Sequence, residues 1–258
     1  MKTAVKTAAK TASNTAAKRA SPASAKRLVK SKLKPLVKAR ASAKPKSTQR
    51  KAKTGFFITF EGGEGVGKTT QIARLAKAFE ATGRRVIVTR EPGGSNIANR
   101  IRSLILDPKM KGLVPLAELF LYEASRAQHV ADVIRPALKA GHVVICDRYT
   151  DSSVVYQGVA RGLDGALVKR LNNMATGSLH PDLTLLLDLD PRIGLARVGA
   201  RGILDRMEKE ALSFHQAVRA GFLKLSRRER RRFRVIDSSL SRDAIHAKVL
   251  EALEGEFV

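Results

Sequence analysis

The sequence Gly62-Gly63-Glu64-Gly65-Val66-Gly67-Lys68-Thr69 fits the pattern Gly-x-x-x-x-Gly-Lys-[Ser/Thr]. Its glycines allow the backbone to curl until several N–H groups point inward, at the positive end of the dipole of a following helix. A short apolar run at residues 56–60 precedes the loop, and residues 69–81 follow it with helical spacing of apolar side chains. The pattern requires this strand–loop–helix context, so the sequence predicts an α/β fold with a site for nucleotide phosphates.

Further apolar runs extend the α/β pattern along the chain. They predict strands at residues 86–89, 143–146, 183–189 and 233–236. Helical spacing predicts helices at residues 97–106, 115–140 and 242–253, the second with a bend near Pro136. Because residues 86–89 and 143–146 are nearly all apolar, we expect both strands to be covered on both faces. Residues 55–258 are therefore predicted to form a P-loop NTPase-type domain, a parallel five-stranded sheet flanked by helices.

Residues 1–54 have a different composition from the rest of the chain. They hold 17 of the 49 Lys and Arg residues, none of the 23 Asp and Glu residues, and no aromatic residue. Such a segment buries too little apolar surface to offset the entropy of ordering it, so we expect a disordered basic tail. The charge of residues 1–54 is typical of weak, non-specific nucleic-acid binding. A mitochondrial transit peptide and a misassigned start codon are open alternatives.

The remaining residues carry +9 of the formal net charge of +26. A positive surface suits an enzyme whose substrates are polyanions. Cys146 is the only cysteine, which excludes an intrachain disulfide and favours a reducing compartment such as the cytoplasm. No apolar run reaches the roughly 20 residues of a membrane-spanning helix, so we expect no membrane partner. The five histidines lack metal-ligand spacing and are predicted to be packing or surface residues.

The glycine loop also predicts how a triphosphate and its metal are held. Lys68 supplies a mobile positive charge for the β- and γ-phosphates, and the Thr69 hydroxyl is an oxygen ligand for Mg²⁺. Asp147 ends a predicted strand, as the Mg²⁺-associated acid of P-loop enzymes does. The ATP-binding residues predicted from the loop are Gly62, Gly63, Glu64, Gly65, Val66, Gly67, Lys68, Thr69 and Thr70.

Four stretches beyond the loop, in this order, resemble the thymidylate kinases. They are Thr89-Arg90-Glu91-Pro92-Gly93-Gly94, Leu121-Tyr122-Glu123-Ala124-Ser125-Arg126, Asp147-Arg148-Tyr149 with Tyr156-Gln157-Gly158, and Ala200-Arg201-Gly202-Ile203-Leu204-Asp205-Arg206-Met207-Glu208. The resemblance implies a nucleoside-monophosphate kinase architecture and transfer of the γ-phosphoryl group of Mg·ATP to dTMP. The product dTDP would serve dTTP synthesis. It also implies a homodimer that pairs through helices.

The resemblance further implies roles for individual residues. Arg90 and Arg148 would bind the dTMP phosphate, because a planar guanidinium matches oxyanion geometry. Tyr122 would stack on thymine, and Arg126 would hydrogen-bond an oxygen on the edge of the base. Tyr156 would exclude a 2′-hydroxyl. A carboxylate that reaches the 3′-hydroxyl of the acceptor is implied at Glu64, and the full set implied for dTMP is Glu64, Arg90, Pro92, Tyr122, Arg126, Arg148, Tyr156 and Gln157.

Some thymidylate kinases carry a catalytic arginine in the phosphate loop, but the glycine loop here contains no arginine. The resemblance therefore implies that the catalytic arginine comes from another segment. By resemblance to bacterial relatives we expect it in a mobile lid that contains Arg197, Arg201 and Arg206. Arg201 is the first choice, and the catalytic set is Lys68, Arg148, Arg197 and Arg201. A deoxynucleoside kinase or another monophosphate kinase is the alternative, against which the stretch at residues 89–94 and the pair Tyr122 and Arg126 argue.

Overall fold

The computed structural model describes residues 55–200, 202 and 204–254. Five parallel strands form one sheet in the order β2-β3-β1-β4-β5. The strands are β1 (Phe56–Glu61), β2 (Val86–Arg90), β3 (Val143–Asp147), β4 (Leu183–Asp188) and β5 (Phe233–Asp237). The predicted P-loop-type sheet is confirmed. The basic tail predicted at residues 1–54 lies outside the described residues.

Helices connect these parallel strands. The α-helices of the described residues are α1 (Lys68–Ala81), α2 (Asn96–Leu106), α3 (Pro115–His129), α4 (Arg135–Lys139), α5 (Thr150–Ser153), α6 (Gly165–Thr176), α7 (Pro191–Gly199), α8 (Leu212–Arg228) and α9 (Arg242–Glu251). Two π-helical segments, Val130–Ile134 and Val154–Ala160, continue α3 and α5. None of the helices among the described residues is long and apolar enough to span a membrane.

The sheet brings the predicted site residues to one edge. Because all the strands are parallel, their carboxyl ends lie at the same edge, where open α/β sheets bind ligands. Arg90 at the end of β2 pairs in register with Asp147 at the end of β3, and Phe60 of β1 pairs with Asp147 on its other side. The glycine loop and the residues after β2 and β3 therefore converge.

The expectation that β2 is covered on both faces is wrong. β2 is an edge strand, and Val88 in its middle is 52% exposed. β3 lies between β2 and β1, and its residues Val143 to Cys146 are fully buried, as predicted. An apolar run of this length predicts a strand but not its place in the sheet, because the place depends on which neighbours the rest of the chain supplies.

The predicted long helix at residues 115–140 is present, but it is not a uniform α-helix. It consists of α3, the π-helical segment Val130–Ile134 and α4. The wider turn directly precedes Pro136, whose ring has no N–H and would clash with the carbonyl four residues earlier in a regular helix. The irregularity therefore has the cause that the sequence indicated.

Candidate active site

A cavity of about 650 Å³ opens at the carboxyl edge of the sheet. Residues of the glycine loop line it at one end, and the segments after β2 and β3, with α2 and α3, line it at the other. Of the predicted residues, Glu64, Gly65, Val66, Gly67, Lys68, Thr69, Thr70, Arg90, Pro92, Tyr122, Asp147, Arg148, Tyr156, Gln157 and Arg197 line this cavity. Gly62 and Gly63 instead contribute backbone carbonyls behind it, to which Lys68 Nζ donates at 3.5 and 3.0 Å.

The glycine loop is in direct backbone contact with α7. Gly65 has φ +66°, and a Cβ there would lie 2.1 Å from the carbonyl oxygen of Gly194 on α7. A Cβ at Gly194 would in turn lie 2.2 Å from the carbonyl oxygen of Glu64. Only glycines permit this close approach. The loop that holds phosphate and the helix that leads to the predicted lid therefore touch without intervening side chains.

Lys68 and Asp147 form the charged floor of the phosphate end. Lys68 Nζ lies 4.0 Å from Asp147 Oδ1, and this buried oxygen accepts no hydrogen bond from the described residues. Thr69 is exposed to the cavity one residue beyond Lys68. The described residues contain no group of three or more His, Cys, Asp or Glu arranged around a metal. The donors fit Mg²⁺, which is bound by few protein oxygens together with waters and substrate phosphates.

Glu64, Arg148 and Tyr156 form a compact polar cluster in the middle of the cavity. Glu64 Oε1 accepts hydrogen bonds from Arg148 Nη2 at 2.6 Å and from the Tyr156 hydroxyl at 3.0 Å. The guanidinium of Arg148 also lies over the Tyr156 ring, 5.0 Å from its centroid. Burial acts to raise the pKa of Glu64, but Arg148 and Lys68 more than offset it and hold this pKa below its ordinary value. Glu64 is therefore an ionised acceptor at neutral pH.

The turn after β3 aims Arg148 into the cavity. Arg148 has φ +69°, a left-handed conformation that costs energy for a residue with a Cβ. Its N–H donates to the Phe60 carbonyl, and its Nη1 donates to the Gly62 carbonyl at 2.8 Å. The buried Cys146 thiol donates to the Arg148 carbonyl at 3.0 Å, and burial raises the pKa of that thiol. Contacts on several sides thus hold a strained residue at the functional edge.

Arg90 is an exposed cation at the end of β2. Its side chain lines the cavity and makes no hydrogen bond or ion pair with the described residues. Arg102 of α2 lines the same end, and its Nη1 donates to the Pro92 carbonyl at 2.8 Å. Burial and the proximity of Arg90 lower the pKa of Arg102 below its ordinary value. Two neighbouring guanidinium groups without a carboxylate partner make this end of the cavity attractive to an anion.

Arg126 does not line the cavity, which differs from the expectation that it reaches the base. Its side chain is 1% exposed and bonded within the wall. The acceptors are Glu91 and Glu123, both at 2.7 Å, Asn172 at 2.8 Å, Ser153 at 3.0 Å and the Tyr149 carbonyl at 3.2 Å. Because these acceptors hold the guanidinium in place, it supports the cavity through Glu91 and Ser153, which do line it.

His129 stiffens the segment after β2. Its buried ring bonds the Thr89 hydroxyl at 2.6 Å on one side and Glu91 Oε1 at 3.0 Å on the other. A Cβ at Gly94, where φ is +93°, would lie 2.4 Å from this ring. The prediction of a packing role for this histidine holds, and its contacts explain why glycine follows the segment that carries Arg90.

Tyr122 and Gln157 also form part of the cavity wall. The Tyr122 ring lines the cavity, and its hydroxyl makes no hydrogen bond with the described residues. Burial and the nearby Glu118 raise the pKa of Tyr122, so the hydroxyl is neutral. Gln157 lies in the π-helical segment Val154–Ala160, and its Nε2 donates to Glu118 at 2.9 Å. The wide turn places Tyr156 and Gln157 at the cavity, and π-helical turns are frequent at functional sites.

The structure separates the three arginines of the predicted lid. Arg197, in the last turn of α7, lines the cavity, and its Nη1 donates to the Gly65 carbonyl at 3.4 Å. Arg206 is held elsewhere, with Nη1 2.6 Å from Glu118 and Nε 2.8 Å from the Ile105 carbonyl. Arg201, the first choice, lies outside the described residues. Of the two described arginines, Arg197 is therefore the one that contacts the glycine loop.

Known proteins resemble this chain in sequence. The sequence model of one family, described as Thymidylate kinase, matches residues 60–249. A thymidylate kinase of Geobacter sulfurreducens is 52% identical over 205 residues, which are 77% of this chain and 96% of the relative. One of Solidesulfovibrio magneticus is 55% identical over 196 residues, 73% of this chain and 94% of the relative. The chain belongs to the thymidylate kinase family.

A solved thymidylate kinase supports the fold as well as the family. The crystal structure of the enzyme from Ehrlichia chaffeensis has a TM-score of 0.63 and 35% sequence identity, and covers 78% of this chain and 99% of its own. The predicted thymidylate kinase family, the fold and the enzyme class are confirmed. The thymidylate kinase match, at residues 60–249, leaves the basic segment 1–54 outside it.

Several residues of this thymidylate kinase site were not predicted from the sequence. Arg102, Asp205, Met207, Ser152 and Ser153 line the cavity, and Glu118 holds Gln157. Ser152 and Ser153 lie between the motifs at residues 147–149 and 156–158, so their position in the sequence could have indicated that they belong to the site. Arg102 and Glu118 lie on ordinary amphipathic helices. Nothing local distinguishes them from surface or packing residues.

Proposed function

We propose that this cavity transfers the γ-phosphoryl group of ATP to dTMP, giving dTDP. Phosphorylation of dTMP was predicted from the sequence and follows from membership of the thymidylate kinase family. The observation that carries the proposal is one continuous cavity with the glycine loop and Lys68 at one end and the unpartnered Arg90 beside Tyr122 at the other. Such a site holds two anions end to end, which is what phosphoryl transfer asks of a protein.

Positive charge positions the phosphate of dTMP, and the shape of the cavity positions its deoxyribose. Arg90 binds the dTMP phosphate, and the neighbouring Arg102 adds positive charge. Arg148 lies between this phosphate and the glycine loop, because it already contacts Glu64 and the Gly62 carbonyl. Its fixed, charged guanidinium neutralises the group in transit. The ionised Glu64 accepts a hydrogen bond from the 3′-hydroxyl, and Tyr156 shapes the deoxyribose pocket.

The base lies against Tyr122, with Gln157 at its edge. Pro92 closes the cavity on the side of the segment after β2. Arg126 supports the cavity wall through Ser153 and Glu91. Its Nη2 donates only to the Tyr149 carbonyl, so a second N–H of this nitrogen is left for the hydrogen bond to the base that the resemblance implies. Sequence resemblance supports the identity of these residues, and the cavity supports their common location.

Magnesium fits the phosphate end of the site. Thr69 would hold Mg²⁺ directly, and Asp147, whose Oδ1 has no hydrogen-bond donor among the described residues, would hold a Mg²⁺-bound water. When bound there, Mg²⁺ would supply positive charge that offsets the negative charge of the ATP phosphates. Lys68 orients the same phosphates from the floor of the cavity.

An arginine of the lid would neutralise part of the negative charge on the γ-phosphate. Arg197 lies at the cavity and next to the glycine loop, so a small movement of α7 brings it to the γ-phosphate. Arg201 follows it in the sequence and is the other member of the proposed pair. Closing such a lid excludes water, which strengthens the charge interactions and limits wasteful hydrolysis of ATP.

An acceptor panel tests the proposed reaction. The full-length protein is given Mg·ATP with dTMP, dUMP, UMP, CMP or thymidine, and nucleotide products are separated by ion-exchange chromatography. We expect dTDP from dTMP at the highest kcat/KM. A higher value with thymidine would indicate a deoxynucleoside kinase, and absence of dTDP would reject the proposal.

The remaining proposals concern partners and location. We propose a homodimer, weak nucleic-acid binding by residues 1–54, and a cytoplasmic protein with no membrane partner. The single, buried cysteine supports a reducing compartment. A gel-retardation assay at low and moderate salt compares the full chain with a form that begins at Thr54. Equal retardation of both forms would reject nucleic-acid binding by the tail.

A further inference from the structure

Glu118 is a fully buried carboxylate next to the base end of the cavity. It accepts hydrogen bonds from Gln157 Nε2 at 2.9 Å and from Arg161 Nε and Nη2 at 3.3 and 3.2 Å. Arg206 Nη1 lies 2.6 Å from its Oε2. Two guanidinium groups and one amide therefore converge on one carboxylate.

The charge state of Glu118 is set by these partners. Burial acts to raise its pKa, but the hydrogen bonds from Gln157, Arg161 and Arg206 more than offset this effect and keep the pKa below its ordinary value. An ionised carboxylate accepts hydrogen bonds and donates none. Gln157 must therefore turn its amide nitrogen, and not its oxygen, towards Glu118.

The other end of the same amide is free to meet a ligand. Gln157 lines the cavity, and its Oε1 makes no hydrogen bond with the described residues. It lies in the part of the cavity that Tyr122 and Ser153 also line. One of the two N–H groups of the amide donates to Glu118, which places the amide nitrogen on the Glu118 side. The atom on the other side of the amide carbon, which we expect to meet the base, is therefore the oxygen, a hydrogen-bond acceptor.

We propose that Glu118 is a positioning residue for pyrimidine selection, because it fixes the Gln157 amide with its oxygen towards the base. An acceptor at this place matches thymine and uracil, whose N3 carries a hydrogen. It rejects cytosine, whose N3 is itself an acceptor, because two acceptors facing each other leave both unsatisfied. This inference rests on the proposed function and deepens it by naming what selects the base.

The substitution Glu118→Gln reverses the expected orientation of Gln157. Arg206 Nη1 and Arg161 Nη2 both lie at Glu118 Oε2, so the oxygen of the new amide takes that position and its nitrogen faces Gln157. Arg161 Nε, which lies 3.3 Å from Oε1, loses its acceptor in this variant. Gln157 then turns its own oxygen to that nitrogen and presents its nitrogen to the cavity. The acceptor at the base becomes a donor, and a donor suits the N3 of cytosine.

The test compares kcat/KM for dTMP, dUMP and dCMP with full-length protein and Mg·ATP. For Glu118→Gln we expect the ratio of dTMP to dCMP to fall by about tenfold to a hundredfold, the usual effect of one buried unsatisfied hydrogen-bonding group. The value for dUMP should fall with that for dTMP. The matched control is Glu210→Gln, which removes a carboxylate that accepts from Arg161 at 2.6 Å but does not touch Gln157. The control should keep the wild-type ratio.

A swapped pair provides an independent readout. Gln157→Glu alone places two carboxylates together and should lower kcat/KM for dTMP. Glu118→Gln with Gln157→Glu restores a nitrogen facing an oxygen and leaves a carboxylate oxygen towards the base. This double variant should recover dTMP activity at least tenfold over Gln157→Glu, and the comparison holds even where Glu118→Gln alone folds poorly.

Two results overturn the inference while leaving the proposed function intact. One is an active wild type whose Glu118→Gln variant, shown to be folded by thermal denaturation, keeps the original ratio of dTMP to dCMP. The other is a double variant no more active with dTMP than Gln157→Glu. A wild type that makes no dTDP would instead reject the proposed function itself.

Discussion

Glu61, at the end of β1, is a buried carboxylate whose ionisation opposes folding. It accepts hydrogen bonds from the Tyr149 N–H at 2.9 Å and the Ser152 hydroxyl at 2.7 Å. Burial and the charge of Asp151 raise its pKa from 4.5 to about 7. A raised pKa means that the folded state binds the proton more tightly. The stability that this gives is complete below pH 4.5 and is lost as pH rises through about 7.

Replacing Glu61 with glutamine should therefore change the pH dependence of stability. At pH 4.5 we expect the free energy of unfolding of Glu61→Gln to be close to that of the wild type. The variant should gain on the wild type as pH rises, by up to roughly 3 kcal/mol above pH 7.5. Urea denaturation at a series of pH values measures this difference. A difference that does not grow between pH 4.5 and 7.5 would contradict the shifted ionisation.

Arg90 offers a test of the acceptor end. Loss of a charge-assisted contact to phosphate costs about 1.5–3 kcal/mol. We expect Arg90→Met to raise KM for dTMP by roughly tenfold to a hundredfold while KM for ATP stays near the wild-type value. Arg170→Met, an exposed change on α6 outside the cavity, is the control. If only KM for ATP changes, Arg90 contacts ATP and not dTMP, and the prediction is wrong.

Each site residue that was predicted from the sequence belongs to a short continuous motif. Lys68 and Thr69 are given by the loop itself, and Arg90, Tyr122 and Arg148 by motifs at strand ends or on one helix face. Glu118 depends on contacts with segments 39 and 43 residues away, so its role requires the folded chain. The motif predicted that Arg126 belongs to the site region, but not the direction of its side chain. That direction depends on buried acceptors from segments distant in the sequence.

At the scale of elements, the contact between the glycine loop and α7 ties the lid to the phosphate site. Alanine favours a helix over glycine by up to about 1 kcal/mol where space allows. At Gly194 a Cβ would meet the Glu64 carbonyl at 2.2 Å, whereas at Gly199 a Cβ would meet no atom within 4 Å. The two glycines of α7 are therefore a matched pair, one tightly packed and one free.

We expect Gly194→Ala to displace α7 from the loop. KM for ATP should rise and kcat should fall about tenfold or more, while KM for dTMP changes little, because overpacking typically costs 1–3 kcal/mol. Gly199→Ala should leave the kinetics unchanged or slightly raise the melting temperature. Steady-state kinetics with each substrate varied in turn measures both variants. Equal kinetics for the two would remove the contact from the mechanism.

The periodicity of apolar residues predicted where the strands lie in the sequence, but not their order in the sheet. Each predicted run became a strand, yet the order β2-β3-β1-β4-β5 and the edge position of β2 were not foreseen. Strand order depends on crossover connections, which short-range patterns do not encode. The helices α5 to α8 were not predicted, and the buried positions of α8 include His215, Gly221 and Ser226, which weaken its apolar pattern. Its apolar stripe, which packs against the π-helical segment Val154–Ala160, is recognisable once that partner is known.

At the scale of the whole molecule, α2 and α3 present apolar side chains to solvent. Ile97 and Leu104 on α2 and Leu116 and Phe120 on α3 are 41–54% exposed, and the two helices pack against each other. Exposed apolar side chains on neighbouring helices are typical of a protein–protein interface. This surface supports the proposed homodimer.

A charge in the middle of that surface should separate the subunits. We expect Phe120→Asp to sediment as a monomer at concentrations where the wild type sediments as a dimer. Val235→Asp places the same change on β5, 49% exposed and away from α2 and α3, and should not alter the sedimentation coefficient. A wild type that is monomeric at high micromolar concentration would refute the dimer.

Because Cys146 is unreactive in the folded protein, an introduced cysteine can be labelled with a fluorescent dye without first replacing a native cysteine. Its thiol is buried, engaged with a backbone carbonyl and held protonated, so maleimide dyes should not react with it in the folded protein. A cysteine introduced at Gly199, beside the proposed lid, would then be the sole reactive position. A dye attached there would report on closure when nucleotide is added, with no native residue removed to silence competing labels.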